Sequence, residues 1–254
     1  MNYKTIKVDI QEKVARIEIN RPDADNTIND DLINEFMDVL DICEKKNTIV
    51  IIEGSKEVFC NGGDFNQVHE MINRKDKMKN DPEPLYKLWL RLAEGPFIII
   101  SHIRGKTNAG GVGFLCASDI VLSDKSSQIS LSELLFGLFP ACVMPFLIRR
   151  IGFQKAHYMT MMTKPINYSK ALEWGLIDAV SENSFQLVQN HLHRLKCLNK
   201  KTIKKYKQYM NKLYINLIVN KTDALEANRM IFSDEENLNK IFRFVEYNEY
   251  PWET

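Results

Sequence analysis

The stretch IIISHIRGKTNAGGVGFLCASDIVLSD, Ile98 to Asp124, decides how the chain folds. A β-branched run, Ile98-Ile99-Ile100, leads to Gly105, and Asn108-Ala109-Gly110-Gly111-Val112-Gly113 follows. Small and apolar residues come next, Phe114 to Ser118, then a second apolar run at Ile120-Val121-Leu122. The pattern predicts a strand, a glycine turn, a short buried helix ending near Asp119, and another strand. Glycine at a helix entry lets backbone approach a ligand, and the first N–H groups of a helix have no intrahelical acceptor. Donors held there, in the positive end of the helix dipole, suit an anion or a carbonyl oxygen that gains negative charge. The same glycines also serve tight helix-on-strand packing, and this stretch alone leaves both readings open. Two familiar phosphate loops do not fit. Gly111-Val112 rather than Lys-Ser/Thr follows Gly110, and the glycine spacing misses G-x-G-x-x-G.

Working outward, the chain begins with alternating strands, Ile6-Val8-Ile10 and Val14-Ile17-Ile19, turned at Gln11-Glu12-Lys13. Asn29 or Asp30 caps a helix whose apolar residues Leu32, Ile33, Phe36, Val39, Leu40 and Cys43 share one face. Ile49 to Ile52 is a buried parallel-type strand. Beyond it lies a second glycine stretch, Phe59-Cys60-Asn61-Gly62-Gly63-Asp64-Phe65, again followed by a helical pattern that Asp64 can cap. The charged residues between Asn73 and Pro84 read as a surface loop of the kind that often covers an active site. A helix over Leu85 to Ala93 comes next.

Glu133 resists a structural explanation. It is a lone acid among Leu131, Leu134, Leu135 and Phe136, and an isolated buried carboxylate is costly. An apolar setting raises a carboxyl pKa towards neutrality, where the group can both take and give a proton. The structural alternative is an acid facing water or pairing with Arg149 or Arg150. Further on, Pro145 to Tyr158 and Tyr168 to Trp174 read as helices, the latter stopped by Gly175, and a strand runs from Ile177 to Val180. From Asn183 the pattern is helical nearly to the end. Ile203, Tyr206, Met210 and Leu213 fall on one helix face, which turns the lysines between Lys200 and Lys207 outward.

With 254 residues and a formal net charge of +1, nothing overall points to nucleic acid or a membrane. Met1-Asn2-Tyr3-Lys4-Thr5 lacks the apolar core of a signal peptide, and no apolar run is long enough to span a bilayer. The five cysteines are scattered without metal spacing and read as the reduced thiols of a cytoplasmic protein. No G-x-S-x-G elbow is present, the five histidines show no ligand set, and no cofactor is implied.

Two glycine turns beyond strands, a lone acid and a helical tail form a pattern that resembles the crotonase (enoyl-CoA hydratase/isomerase) superfamily along nearly the whole chain. The matching pieces are Asn20-Arg21-Pro22 with Asn26, Phe59 to Asp64, and Gly105 with Ala109-Gly110-Gly111 and Ser118-Asp119-Ile120. Ser132-Glu133 with Gly137-Leu138-Phe139-Pro140, and Ala171 to Asp178, complete the set. The resemblance implies an α/β fold with a ββα-spiral core over residues 1–195 and a helical oligomerisation region over 196–254, assembled as a trimer or hexamer. It implies an acyl thioester on coenzyme A or on a carrier's phosphopantetheine. Two backbone amides polarise the thioester carbonyl in that family, and motif position assigns them to Gly63 and Gly110.

One departure narrows the chemistry. Family hydratases usually carry two acids; here the first position is Gly113 and the second is Glu133. Asn108, Asp64, Tyr86 or His69 are candidates to assist the remaining acid, with Asn108 favoured because it lies in the oxyanion turn. The stretches Leu131 to Cys142 and Ile148 to Gln154 look like the polyketide β-branching members, and the retained Glu133 resembles the type that dehydrates a 3-hydroxy-3-methylglutaryl group on an acyl carrier protein. An acidic carrier would give Lys200, Lys201, Lys204 and Lys205 a steering role; otherwise they form a solvated face. The alternatives are the partner decarboxylase, a hydratase or isomerase of free coenzyme A thioesters, and a non-catalytic acyl-thioester binding subunit.

Overall fold

Three consecutive stretches of chain repeat one unit: an apolar strand, a tight turn, a three- or four-residue strand or helix-leading segment, and a helical turn. The computed structural model describes residues 3–73, 81–213 and 216–252. The first hairpin pairs β1 (Ile6–Ile10) with β2 (Val14–Ile19), and α1 (Asp30–Lys46) follows, capped by the Asn29 side chain on the Leu32 amide. The first unit is then β3 (Ile49–Glu53), β4 (Val58–Cys60) and α2 (Phe65–Asn73), and α3 (Glu83–Glu94) comes after it. The second is β5 (Ile98–Ile103), β6 (Lys106–Asn108) and α4 (Gly110–Ala117). The third is β7 (Ile120–Ser123), β8 (Gln128–Ser130) and a 3-10 turn over Glu133–Phe136.

With the later strand β10 (Ala179–Val180), β1, β2, β3, β5 and β7 form a six-stranded sheet in the order β1-β2-β3-β5-β7-β10, parallel except for the first hairpin. The three-residue strands and the later β9 (Ile166–Asn167) form a second sheet, β4-β6-β8-β9, in which the first three run parallel. The remaining elements are α5 (Met144–Ile151), α6 (Phe153–Met162), β9 (Ile166–Asn167), α7 (Tyr168–Trp174), β10 (Ala179–Val180) and α8 (Ser184–Leu195). The chain continues as α9 (Lys200–Leu213), α10 (Asn216–Val219), α11 (Lys221–Ser233) and α12 (Glu235–Tyr247).

Strand alternation divides the core. Val50, Ile52 and Ile99 pack with Phe36, Phe114 and Leu115 of α1 and α4, whereas Ile49, Ile51, Ile98 and Ile100 pack with Val188, Leu192 and Ile203 of α8 and α9. Leu217, Ala224 and Leu225 join the first of these clusters, so the C-terminal helices complete the main core. The helix expected over Pro145 to Tyr158 is two helices, because Gly152 at φ +81 breaks it between α5 and α6. Most of the loop expected between Asn73 and Pro84 lies outside the described residues, and its far end, Glu83-Pro84, already belongs to α3.

The face of α9 also differs from the expectation. Ile203 and Lys207 point inward, while Tyr206, Met210 and Leu213 are exposed. Lys207 reaches past the sheet edge to Asp119 with its amine and to the carbonyls of Leu92 and Phe97. A long aliphatic stem ending in three acceptors outcompetes the apolar stripe for the buried side of the helix.

Candidate active site

The repeated unit brings distant residues together. β4, β6 and β8 lie side by side and parallel, with Cys60 opposite Thr107 and Asn108 opposite Ser130. The residues just past their ends therefore emerge at one edge: Gly62-Gly63 after β4, Ala109-Gly110 after β6, and Ser132-Glu133 after β8. A Cβ placed on Gly110 would stand 3.8 Å from the Gly63 nitrogen, and one on Gly62 would stand 3.3 Å from the Gly110 nitrogen. The two glycine turns are in contact.

Both turns keep an amide in reserve. Ile28 accepts from Asp64 N–H and donates to the Gly62 carbonyl, which turns the intervening Gly63 N–H to the other side of the bridge. Gly110 is the first residue of α4, so its N–H has no intrahelical acceptor. Among the described residues neither amide has a hydrogen-bond acceptor. Ala109, before it, is held at φ +48 and ψ −126, a conformation that costs an alanine energy and that sets the direction of the Gly110 amide. Gly63 has open space around its Cα, whereas a side chain at Gly111 would strike the Cys60 carbonyl at 2.4 Å.

Glu133 completes the group. The residue as a whole is half-buried, but its Oε2 is buried and has no hydrogen-bond partner. Desolvation raises its pKa from 4.5 to about 7, against a smaller opposite pull from the Ser132 and Glu133 amides. Neither arginine suggested as its partner serves it: Arg150 pairs with Asp178 at 2.5 Å, and Arg149 Nη1 has no acceptor among the described residues. Asn108 bridges the second glycine turn to this acid. Its Nδ2 donates to Ser132 Oγ at 2.9 Å, and Ser130 Oγ donates to its Oδ1 at 2.8 Å. Ser132 belongs to the matching family piece Ser132-Glu133, whereas Ser130 carried no signal in the sequence.

The position of the missing second acid is filled. A Cβ at Gly113 would lie 2.4 Å from the ring of Trp89, which is packed edge-on against Phe114 and Phe146. No side chain fits there without moving an indole that is 1% exposed.

Of the other candidates, Asp64 holds the first turn. Its Oδ2 accepts from Arg21 Nη2 at 2.8 Å and its Oδ1 from the Asn66 amide at 3.1 Å, so it anchors the Asn20-Arg21-Pro22 loop and caps α2. That is the capping role the sequence also allowed. Tyr86 is fully buried, and its hydroxyl donates to the Leu217 carbonyl at 2.6 Å. His69 stacks on Phe242 and meets Glu246 at 3.2 Å, tying α2 to α12. Phe65, Phe136 and Phe244 interlock beside it, so α12 walls the Glu133 turn.

Lys200 has a structural task that the sequence did not reveal. Its amine donates to the carbonyls of Cys43 and Asn47 at the end of α1, at 2.8 and 2.6 Å. Asn47 just precedes β3, so Lys200 sits at the N-terminal edge of the parallel strands, opposite the glycine turns. Lys204 is exposed on the same helix. Among the described residues no group of three or more His, Cys, Asp or Glu is placed to hold a metal. None of the described helices is long and apolar enough to cross a membrane.

Two glycine turns in contact at the sheet edge that also carries Ser132-Glu133 are the features to set beside known proteins. A family model described as enoyl-CoA hydratase/isomerase matches residues 9–254, and the chain belongs to that family, the crotonase superfamily, among its hydratase-like lyases. The chain is 53% identical over 254 residues to the bacillaene synthase dehydratase PksH of Bacillus subtilis, covering all of this chain and 98% of the relative. A crystal structure of the polyketide-biosynthesis enoyl-CoA hydratase from Bacillus subtilis superposes with a TM-score of 0.96 at 52% identity, covering 98% of this chain and 100% of that one. A more distant relative, the trans-2-decenoyl-[acyl-carrier-protein] isomerase of Streptococcus mutans, is 26% identical over 187 residues, 72% of this chain and 71% of its own.

Proposed function

We propose that the chain dehydrates a 3-hydroxy-3-methylglutaryl thioester, carried on an acyl carrier protein, to a 3-methylglutaconyl thioester in polyketide β-branching. The observation that carries this reading is the unpartnered Glu133 carboxyl beside two unused amides. The thioester oxygen sits between the Gly63 and Gly110 N–H groups. Ionised Glu133 takes a proton from the α-carbon, and the electron pair moves onto the oxygen as an enolate that the amides stabilise. The pair then returns, the β-carbon–oxygen bond breaks, and the departing hydroxyl takes the proton from Glu133 and leaves as water. One acid performs both transfers, so hydrogen and hydroxyl depart from one face. With Trp89 in the place of a second acid, no other carboxyl is needed.

A pKa near 7 suits this cycle, since the same group must be a base in one step and an acid in the next. The name of the 53%-identical relative, a bacillaene synthase dehydratase, supports a dehydration, and that of the Streptococcus mutans relative, an acyl-carrier-protein isomerase, supports a carrier-bound substrate. Asn108 acts as a positioning residue through Ser132. We also assign residues 196–254 to oligomerisation, supported by the exposed Tyr206, Met210 and Leu213 on α9 and by Met230 on α11.

The test is mass spectrometry of hydroxymethylglutaryl-loaded carrier incubated with the protein. Loss of water supports the assignment, loss of carbon dioxide would reassign the chain to the decarboxylase, and turnover only of free coenzyme A thioesters would remove the carrier. Binding without turnover, equal in the wild type and Glu133→Gln, would make it a binding subunit.

A further inference from the structure

At the edge of the parallel sheet away from the glycine turns, three cations meet two acids. Arg149 and Arg150 end α5, Lys207 comes from α9, and Asp119 and Asp178 stand just before β7 and β10. Together with Tyr206 they line a cavity of about 310 Å³.

Two of the three cations are matched. Arg150 Nη2 donates to Asp178 Oδ2 at 2.5 Å and its Nη1 to the Ser118 carbonyl at 3.1 Å. Lys207 Nζ donates to Asp119 Oδ2 at 2.8 Å and to two carbonyls. The acids are further engaged, Asp178 by the Val121 amide at 2.6 Å and Asp119 by the Ile99 amide at 2.8 Å. Arg149 is left over. Its Nη1 is sealed from solvent without an acceptor, and Arg150 Nε is in the same condition. Burial lowers the pKa of Arg149, and Asp119 and Glu94 act on it through their fields without hydrogen-bonding to it among the described residues. The C-terminal dipole of α5 favours a cation there, but it supplies no acceptor for a buried N–H.

We propose that this cavity binds a small oxyanion, a phosphate or carboxylate group, on the Arg149 guanidinium that lines it. A guanidinium presents paired donors that match such an anion, and no carboxylate hydrogen-bonds to Arg149 among the described residues. The site is separate from the acyl-thioester chemistry. It abuts the far end of α4, the helix that begins at Gly110, through the Arg150 bond to Ser118.

Thermal unfolding of the full chain tests this, in sodium chloride against phosphate and against citrate at matched ionic strength. The midpoint of the wild type should rise with the logarithm of phosphate or citrate concentration, as binding to the native state alone requires. The larger response tells whether phosphate or carboxylate is the better fit. Lys164→Gln, which removes one exposed charge elsewhere, should respond like the wild type. Arg149→Met should lose the response while unfolding no earlier than the wild type in chloride, because it removes an unpaired buried charge. Should that variant fail to fold, calorimetric titration of the wild type with phosphate and citrate gives the answer directly. A wild type that neither shifts nor releases heat would overturn the proposal, as would an unchanged shift in Arg149→Met. Stabilisation that follows protein concentration instead of anion would also overturn it, by placing a second copy's carboxylate in the cavity.

Discussion

Glu133 and Lys207 are both ionisable groups taken out of water, and the structure treats them in opposite ways. Lys207 is 5% exposed and has an acceptor for each of its protons: Asp119, the Leu92 carbonyl and the Phe97 carbonyl. Glu133 has a buried carboxyl oxygen with none. A satisfied buried charge braces a fold, and an unsatisfied one stores reactivity at the expense of stability. The two also stand at opposite edges of the parallel strands, Lys207 where α9 closes the N-terminal edge and Glu133 beyond the short strand β8. Substitutions at each should therefore move different observables.

The largest effect is expected at Glu133. Replacing it by Gln should cut turnover on carrier-bound substrate by about 10²- to 10⁴-fold, the usual range for a lost general acid–base group. Stability should move the other way. Because the folded pKa is raised from 4.5 to about 7, the native state holds its proton more tightly than the unfolded chain. The wild type therefore loses stability as pH rises through that window, by at most roughly 3 kcal/mol. Glu133→Gln has no proton to lose, so its urea midpoint should stay flat from pH 5 to pH 8 and exceed the wild type's at the upper end. In the active wild type, kcat/KM should rise with pH through an apparent pKa near 7 as the base form accumulates. A variant equally active, or one whose stability tracks the wild type's across that window, would erase the contrast with Lys207.

Next comes Lys207→Met. Removing one partner of a buried pair leaves Asp119 facing the cavity without its cation, and such losses typically cost about 3–5 kcal/mol. Chemical denaturation should show that loss, while the fraction that remains folded keeps its turnover number. A selective fall in turnover with unchanged stability would place Lys207 in the chemistry and reverse the comparison.

The sequence and the structure agree best where one element declares itself. The Asn29 cap, the buried strands β3 and β5 and the entry of α4 at Gly110 were all legible, because periodicity and turn residues mark them locally. The short strands β4, β6 and β8 were not. Three residues such as Lys106-Thr107-Asn108 carry no readable alternation, and their pairing is a product of the spiral. The site shares that split: Glu133 stood out as a lone acid, and Gly63 and Gly110 were assigned by motif. The Asn108–Ser132 bond and the Trp89 ring over Gly113 depend on contacts between turns of the spiral. Lys207 was misjudged for the same reason, since only the sheet edge reveals the acceptors that draw it inward.

Asn108→Ala offers a finer test of how the unsatisfied acid is held. The substitution leaves Ser130 and Ser132 without their amide partner, at about 1 kcal/mol of stability. If Asn108 only staples β6 to β8, denaturation shifts by that amount and the pH profile of kcat/KM is unchanged. If it positions Glu133, the apparent pKa moves and kcat falls more than KM rises, with Asn108→Gln failing to restore either.

The smallest effect belongs to the exposed lysines, and it separates two kinds of charge on one helix. Lys200 caps α1, so Lys200→Gln should lower stability by about 1 kcal/mol through two lost carbonyl partners. Lys204 is exposed, and Lys204→Gln should alter stability by no more than about 0.5 kcal/mol. Whether it helps to dock an acidic carrier is read from KM instead. A rise in KM for carrier-bound substrate that fades at high salt, with kcat unchanged, is the signature of steering. An unchanged KM at low salt would leave Lys204 as part of a solvated face, consistent with its place at the edge opposite the glycine turns.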